Sequence, residues 1–118
     1  MFVDKRRGDI WWMQDTHRRD PETHIVRGDR PVIIVSTDKD NQQSTRVLVV
    51  PMRASPAQIS HGDGFRGNVL LTGYGDPCVA LTNQLRCIDS CDLESYMGHL
   101  TDADLARLNA ALRAALEL

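Results

Sequence analysis

Three arginines sit beside apolar runs. Arg30 directly precedes 31-PVIIVS-36, Arg53 directly follows 45-TRVLVVPM-52, and Arg86 lies inside 84-QLRCI-88. His17, Glu22 and His24 share the long polar stretch 14–29. Arginine offers phosphate a fixed fork of donors and hardly deprotonates, which makes it a poor base. Histidine exchanges a proton near neutral pH. Guanidiniums beside a histidine or a glutamate therefore suit transfer of a phosphodiester. Taken singly, each of these residues is equally an ordinary surface charge, and on type and position alone both readings stand.

Other chemistries find little support. The chain has no H-E-x-x-H, no G-x-x-x-x-G-K-[ST], no G-x-S-x-G and no dinucleotide fingerprint. Asp38 and Asp40 fall in the polar stretch 37-TDKDNQQS-44, where a solvated turn is the simpler account. The three cysteines, Cys78, Cys87 and Cys91, are an odd number, which speaks against a disulfide framework. The spacing Cys87-x3-Cys91 lacks the second pair of a zinc site. No metal and no cofactor are expected. Two R-G-D tripeptides, at 7–9 and 27–29, are too short to carry an adhesion function.

The formal charge of −2 excludes a uniformly basic nucleic-acid coat. It is unevenly spread, with seven Lys/Arg against six Asp/Glu in residues 1–30 and two Arg against six Asp/Glu in residues 87–118. A local basic site can coexist with an acidic back. No apolar run approaches the roughly 20 residues needed to cross a bilayer. The start, MFVDKRRGD, turns charged too early for a signal peptide. A cytoplasmic protein of 118 residues forming one domain is the expectation.

The elements that must position the arginines follow from apolar patterning. Residues 8–13, 31–36, 45–52, 66–71, 78–81 and 84–88 read as strands, with a last short one at 96–100. Pro31 lacks an N–H and suits a strand's start. It also holds Arg30 out of the helical region, at the strand's mouth. The stretch 14–29 is long for a connection and so a candidate functional loop. A second variable loop covers 54–65, polar turns are expected at 37–44 and 73–77, and a short helical turn at 89–95. At the end, Thr101 caps a helix with Asp104 in capping-box position, and Leu100 and Leu105 are placed as a hydrophobic staple. Leu105, Leu108, Leu112, Ala115 and Leu116 recur on one face. Together these predict a mainly β fold: a small, curled, mainly antiparallel sheet with a C-terminal helix on one face.

The segments 7-RGDIWWM-13, 28-GDRPVIIVS-36, 46-RVLVVPM-52, 82-TNQLRCID-89 and 98-GHLTDADLARLNAAL-112 resemble, in order and spacing, the MazF/PemK family of bacterial toxins. The resemblance runs over essentially the whole chain. It implies a PemK/CcdB-like fold, a compact SH3-like barrel with a C-terminal helix, in a homodimer. It implies a sequence-specific endoribonuclease that cuts single-stranded RNA, commonly mRNA, without a metal. The substrate's own 2′-hydroxyl attacks, leaving a 2′,3′-cyclic phosphate and a 5′-hydroxyl. A small antitoxin protein silences such toxins by occupying the RNA groove.

Carried over by position, Arg30 matches the arginine of G-x-R-P that acts on the scissile phosphate, and Gly28 the glycine before it. Gln84 and Arg86 match the Q-[IL]-R element near the RNA and dimer surfaces. The chain departs from the family at V-P-x-[TS]: it reads 50-VPMR-53, so Arg53 stands where threonine or serine is usual, and Ser55 lies two residues on. It departs again before G-x-R-P, where many members carry Glu-Gln and this chain reads 24-HIVRGDRP-31. The base is therefore open among His24, Glu22 and His17, in that order of expectation. Arg30 and Arg53 are expected to hold the phosphate, with Ser55, Gln84, Arg86 and His17 along the RNA. The same fold also serves toxins that bind DNA gyrase without nuclease activity. The missing Thr/Ser keeps a non-catalytic binder, or a weakened enzyme, as the alternative.

Overall fold

The computed structural model describes residues 4–16, 25–53, 68–73 and 77–118. Among the described residues seven strands follow one another: β1 (Asp9–Met13), β2 (Arg30–Ile34), β3 (Arg46–Arg53), β4 (Asn68–Leu71), β5 (Cys78–Leu81), β6 (Arg86–Asp89) and β7 (Leu93–His99). A short helix α1 (Asp38–Gln43) links β2 to β3, and helix α2 (Asp102–Leu116) closes the chain. The sheet runs in the order β4-β5-β3-β2-β1-β7, with β6 also on β3. Every pairing among the described residues is antiparallel. β3 is long enough to serve two partners on one edge, β6 along residues 46–49 and β5 at 52–53. Its other edge takes β2.

Because side chains alternate along a strand, β2 and β3 feed two cores. Ile33, Val50 and Met52 face one side, where Ile10, Leu71, Leu100 and Leu108 join them. Val32, Ile34, Val47 and Val49 face the other, with Trp11, Met13, Ile88 and Leu93. The second cluster draws on β1, β2, β3, β6 and β7 at once, so the sheet must curl around it. Irregular steps in the β1–β7 ladder beside Trp11 and Met13 assist that curl. β6 and β7 are joined by a tight 3-10 turn, Ser90–Asp92, and not by a ladder among the described residues. The Gln14 N–H donates to the Asp92 carbonyl at 2.9 Å and ties that turn to the end of β1. The result is a half-barrel, the expected curled antiparallel sheet.

Helix α2 covers the first core. Leu108 is completely buried there, with Leu105, Ala111 and Leu112 packed alongside. The Thr101 hydroxyl accepts the Asp104 N–H at 3.2 Å, which is half of the expected capping box. The other half goes elsewhere: the Asp104 carboxylate accepts the Gly73 N–H at 3.2 Å, so the cap also pins the end of β4. The staple residues Leu100 and Leu105 meet in the same core. The apolar stripe outruns its partner surface, for Ala115 and Leu116 are exposed. No described helix is long and apolar enough to cross a membrane.

Two elements differ from expectation. Residues 37–44 hold α1 instead of a turn. Thr37 caps it by accepting the Asp40 N–H at 3.3 Å, and buried Asn41 exchanges hydrogen bonds with Ser36. A six-residue helix held by a cap and one amide needs no apolar stripe, so periodicity did not reveal it. β7 begins at Leu93, three residues before the expected strand. It is an edge strand with few buried side chains, so its alternation is faint in the sequence. The second variable loop and the start of the 66–71 strand lie outside the described residues.

Cys78 is buried while Cys87 and Cys91 are exposed. Burial, with the nearby Asp104 charge, pushes the Cys78 thiol up from its usual range. A thiol held protonated is a poor nucleophile. Stoichiometric labelling with an aromatic disulfide should therefore show two fast thiols in the folded protein, and a third only after denaturant is added. Three equally fast thiols would contradict this packing.

Candidate phosphate-binding site at the barrel end

Arg30 opens β2 opposite Met13. The β2–β3 ladder starts only at Val32, so Pro31, which has no N–H, falls outside it. The Arg30 side chain turns back on its own loop. Its Nε donates to the Gly28 carbonyl at 3.2 Å, and Nη2 donates to the Arg27 carbonyl. Gly28 has φ +101°, a conformation that side chains other than glycine's rarely adopt. Its N–H donates to the Asp15 carboxylate at 2.7 Å, while the Asp15 N–H donates to the Asp29 carboxylate at 2.8 Å. The two ends of the long polar stretch are thus laced together under Arg30. The guanidinium has a structural duty as well as a charge.

Strand parity decides which arginines meet. Arg30 lies on the same face as Val32 and Ile34. Arg86 is paired with Val49, which is paired with Ile34, so Arg86 shares that face. Arg30 and Arg86 therefore share the face of the second core, with Arg86 level with Ile34, four residues along β2 from Arg30. The β2–β3 ladder ends at Val32↔Pro51, and beyond it Arg53 pairs with Val79 of β5, on the face of Val49 by strand alternation. Arg86 is only partly exposed. Burial, and then the like charges of Arg27 and Arg30, push it below the usual arginine value, opposed by Asp15. Like charges gathered in partly dry surroundings favour an incoming anion.

Gln84 acts as a bracket here. Its side-chain oxygen accepts the Val26 N–H at 2.7 Å and an Arg86 Nη2 hydrogen at 3.4 Å, so it joins the loop before β2 to the strand carrying Arg86. A cleft of about 320 Å³ lies beside this bracket, lined by Asp15, Ile25, Arg27, Asn83, Gln84 and Arg86 among others. Arg53 is exposed at the end of β3 and makes no hydrogen bond or ion pair among the described residues. His17, Glu22, His24 and Ser55 lie outside the described residues. Among the described residues, no three His, Cys, Asp or Glu gather as metal ligands. Sequence reasoning passed over Arg27 and Asp15. Their signal was slight: Arg27 adjoins Gly28, and Asp15 stands at the far end of the same loop.

Residues 6–116 match the model of the family described as PemK-like, MazF-like toxin of type II toxin–antitoxin system. A curated relative, Endoribonuclease MazF9 of Mycobacterium tuberculosis, is 32% identical over 122 residues, covering 96% of this chain and 97% of its own. Among solved structures, MazF of Deinococcus radiodurans superposes with a TM-score of 0.79 at 18% identity, covering 99% of this chain and 100% of that one. An endoribonuclease in complex with its cognate antitoxin, from a mycobacterial species, gives a TM-score of 0.74 at 19% identity, covering 99% and 97% of the two chains. With a family model spanning nearly its whole length and a relative this similar, the chain belongs to the PemK-like, MazF-like toxins of type II toxin–antitoxin systems.

Proposed function

We propose that this protein is a metal-independent endoribonuclease toxin that cuts single-stranded RNA, mRNA among it, at particular sequences. The observation that carries the reading is the cleft that Arg27 and half-buried Arg86 line together, with Arg30 held on the Arg27 carbonyl beside it. The similarity to an endoribonuclease supports it. In this reading the 118 residues are a single domain that acts in the cytoplasm as a homodimer. A small antitoxin silences it by covering the RNA groove; the solved endoribonuclease of the same fold in complex with its cognate antitoxin supports such a partner.

The 2′-oxygen of the substrate attacks the adjacent phosphorus. The bond from phosphorus to the 5′-oxygen breaks, leaving a 2′,3′-cyclic phosphate and a 5′-hydroxyl. The 2′-hydroxyl proton passes to His24, with Glu22 and then His17 as rivals, and the departing 5′-oxygen takes up a proton. Arg30 and Arg53 hold the phosphate oxygens as negative charge gathers there, and Arg30 steadies the leaving oxygen by hydrogen bonding without losing its own proton. Ser55, Gln84, Arg86 and His17 line the path of the RNA. Such a nucleophile restricts the reaction to RNA.

One observation favours a second reading. Arg53 occupies the position where the family usually has threonine or serine, which suits a non-catalytic binder or a weakened enzyme. Incubating the purified chain with mixed-sequence RNA and a matched DNA, in excess chelator, separates the two. The expected result is cleavage of the RNA at a few sites and none of the DNA. Binding without cleavage points to the second reading. Cleavage that requires a restored divalent ion contradicts the proposed chemistry.

A further inference from the structure

Arg27 takes no part in the proposed bond-breaking step, yet it lines the cleft together with Arg86. Among the described residues its side chain makes no hydrogen bond or ion pair. Its carbonyl is held by Arg30 and the next residue, Gly28, by Asp15, so the backbone that carries it is fixed. Two guanidiniums facing one cleft repel each other and are relieved by an anion between them. The rest of the lining suits a base. Met13 and Ile88 form buried apolar floor, and Ile25 adds a wall that is 49% exposed. Guanidinium planes also stack on bases. The side chains of Asn83 and Asp92, at the same cleft, make no hydrogen bond among the described residues. A volume of about 320 Å³ has room for one nucleotide.

We infer that this cleft is a subsite for one nucleotide flanking the scissile bond, its phosphate held between Arg27 and Arg86 and its base edge met by Asn83 and Asp92. The inference rests on the ribonuclease reading. A carboxylate only accepts hydrogen bonds, so Asp92 favours an exocyclic amino group, as in cytosine, over uracil, whose one edge donor, N3–H, lies between two carbonyl oxygens that repel a carboxylate.

The probe is 2′-fluoro RNA, which lacks the attacking hydroxyl and so cannot be cut by the proposed route. Its binding to the full chain is followed by fluorescence anisotropy across a salt series. Arg27→Met should weaken binding about tenfold, the loss of one charge-assisted contact. It should also lessen the salt slope by about 0.7, one phosphate contact to a single strand. Arg27→Lys should keep the slope and so guard against a trivial loss of fold, which circular dichroism also checks. Asp92→Asn should narrow the preference for cytosine over uracil oligomers at least threefold. Parent-like affinity and slope in Arg27→Met, with the parent still cutting ordinary RNA, overturn the subsite and leave the ribonuclease standing. A parent with no preference for cytosine, or an Asp92→Asn variant that keeps it, overturns the base contact. A parent that neither binds nor cuts RNA overturns both the subsite and the ribonuclease.

Discussion

Replacing Arg30 by alanine is expected to slow RNA cleavage at saturating substrate by at least about 100-fold, the usual cost of losing one donor aimed at gathering charge. Two losses coincide in that variant. The phosphate loses a guanidinium, and the carbonyls of Arg27 and Gly28 lose the donors that hold their turn. Arg30→Lys tells them apart, since lysine keeps the charge but not the planar fork. A lysine variant as slow as alanine means the fork is what matters. One that recovers most of the rate means charge alone suffices. Arg53→Ala should also slow cleavage at saturating RNA, by less than Arg30→Ala, because Arg53 stands exposed at the end of β3 where water and salt weaken its field. Full activity in Arg53→Ala would remove it from the site. A much faster Arg53→Thr would mark the parent as a weakened member of its family.

Leu108→Ala should lower the stability of the folded chain by about 3 kcal/mol, a typical cost for a leucine removed from a tight core. Leu108 is 0% exposed and lies among Ile33, Val50, Leu71 and Ala80. It is the residue that most fully seats α2 on the sheet. Leu116 lies on the same apolar stripe but is 52% exposed, so Leu116→Ala should cost about 0.5 kcal/mol or less. Urea unfolding of both variants checks the pair. Equal losses would mean that α2 is seated differently. The arginine cluster is carried by strands β2 and β6 and their loops, so folded Leu108→Ala protein should still bind RNA.

The strands that carry the arginines were legible because their cores are apolar in a strand-like pattern. Helix α2 was legible because its cap and stripe obey helical spacing. Helix α1 was not, since Thr37 and a single buried amide, Asn41, hold it without any stripe. The start of β7 was hidden for a related reason: most of its side chains face solvent. The arginines themselves were plain in the sequence, but that Arg30 and Arg86 share a face was not. It depends on the antiparallel register that pairs Val49 with both Ile34 and Arg86. Arg27 was obscured by its place in R-G-D-R, where it resembles any loop charge. Only the fold brings it beside Arg86.

In the proposed reaction the arginines of the half-barrel let an RNA cut itself through its own 2′-hydroxyl. End-group analysis of RNA digested by the purified chain in excess chelator tests this most directly. The expected result is a 2′,3′-cyclic phosphate on one fragment and a 5′-hydroxyl on the other, with no cut where the nucleotide before the break is 2′-deoxy. Fragments bearing a 5′-phosphate, or cutting that survives the 2′-deoxy substitution, would contradict it.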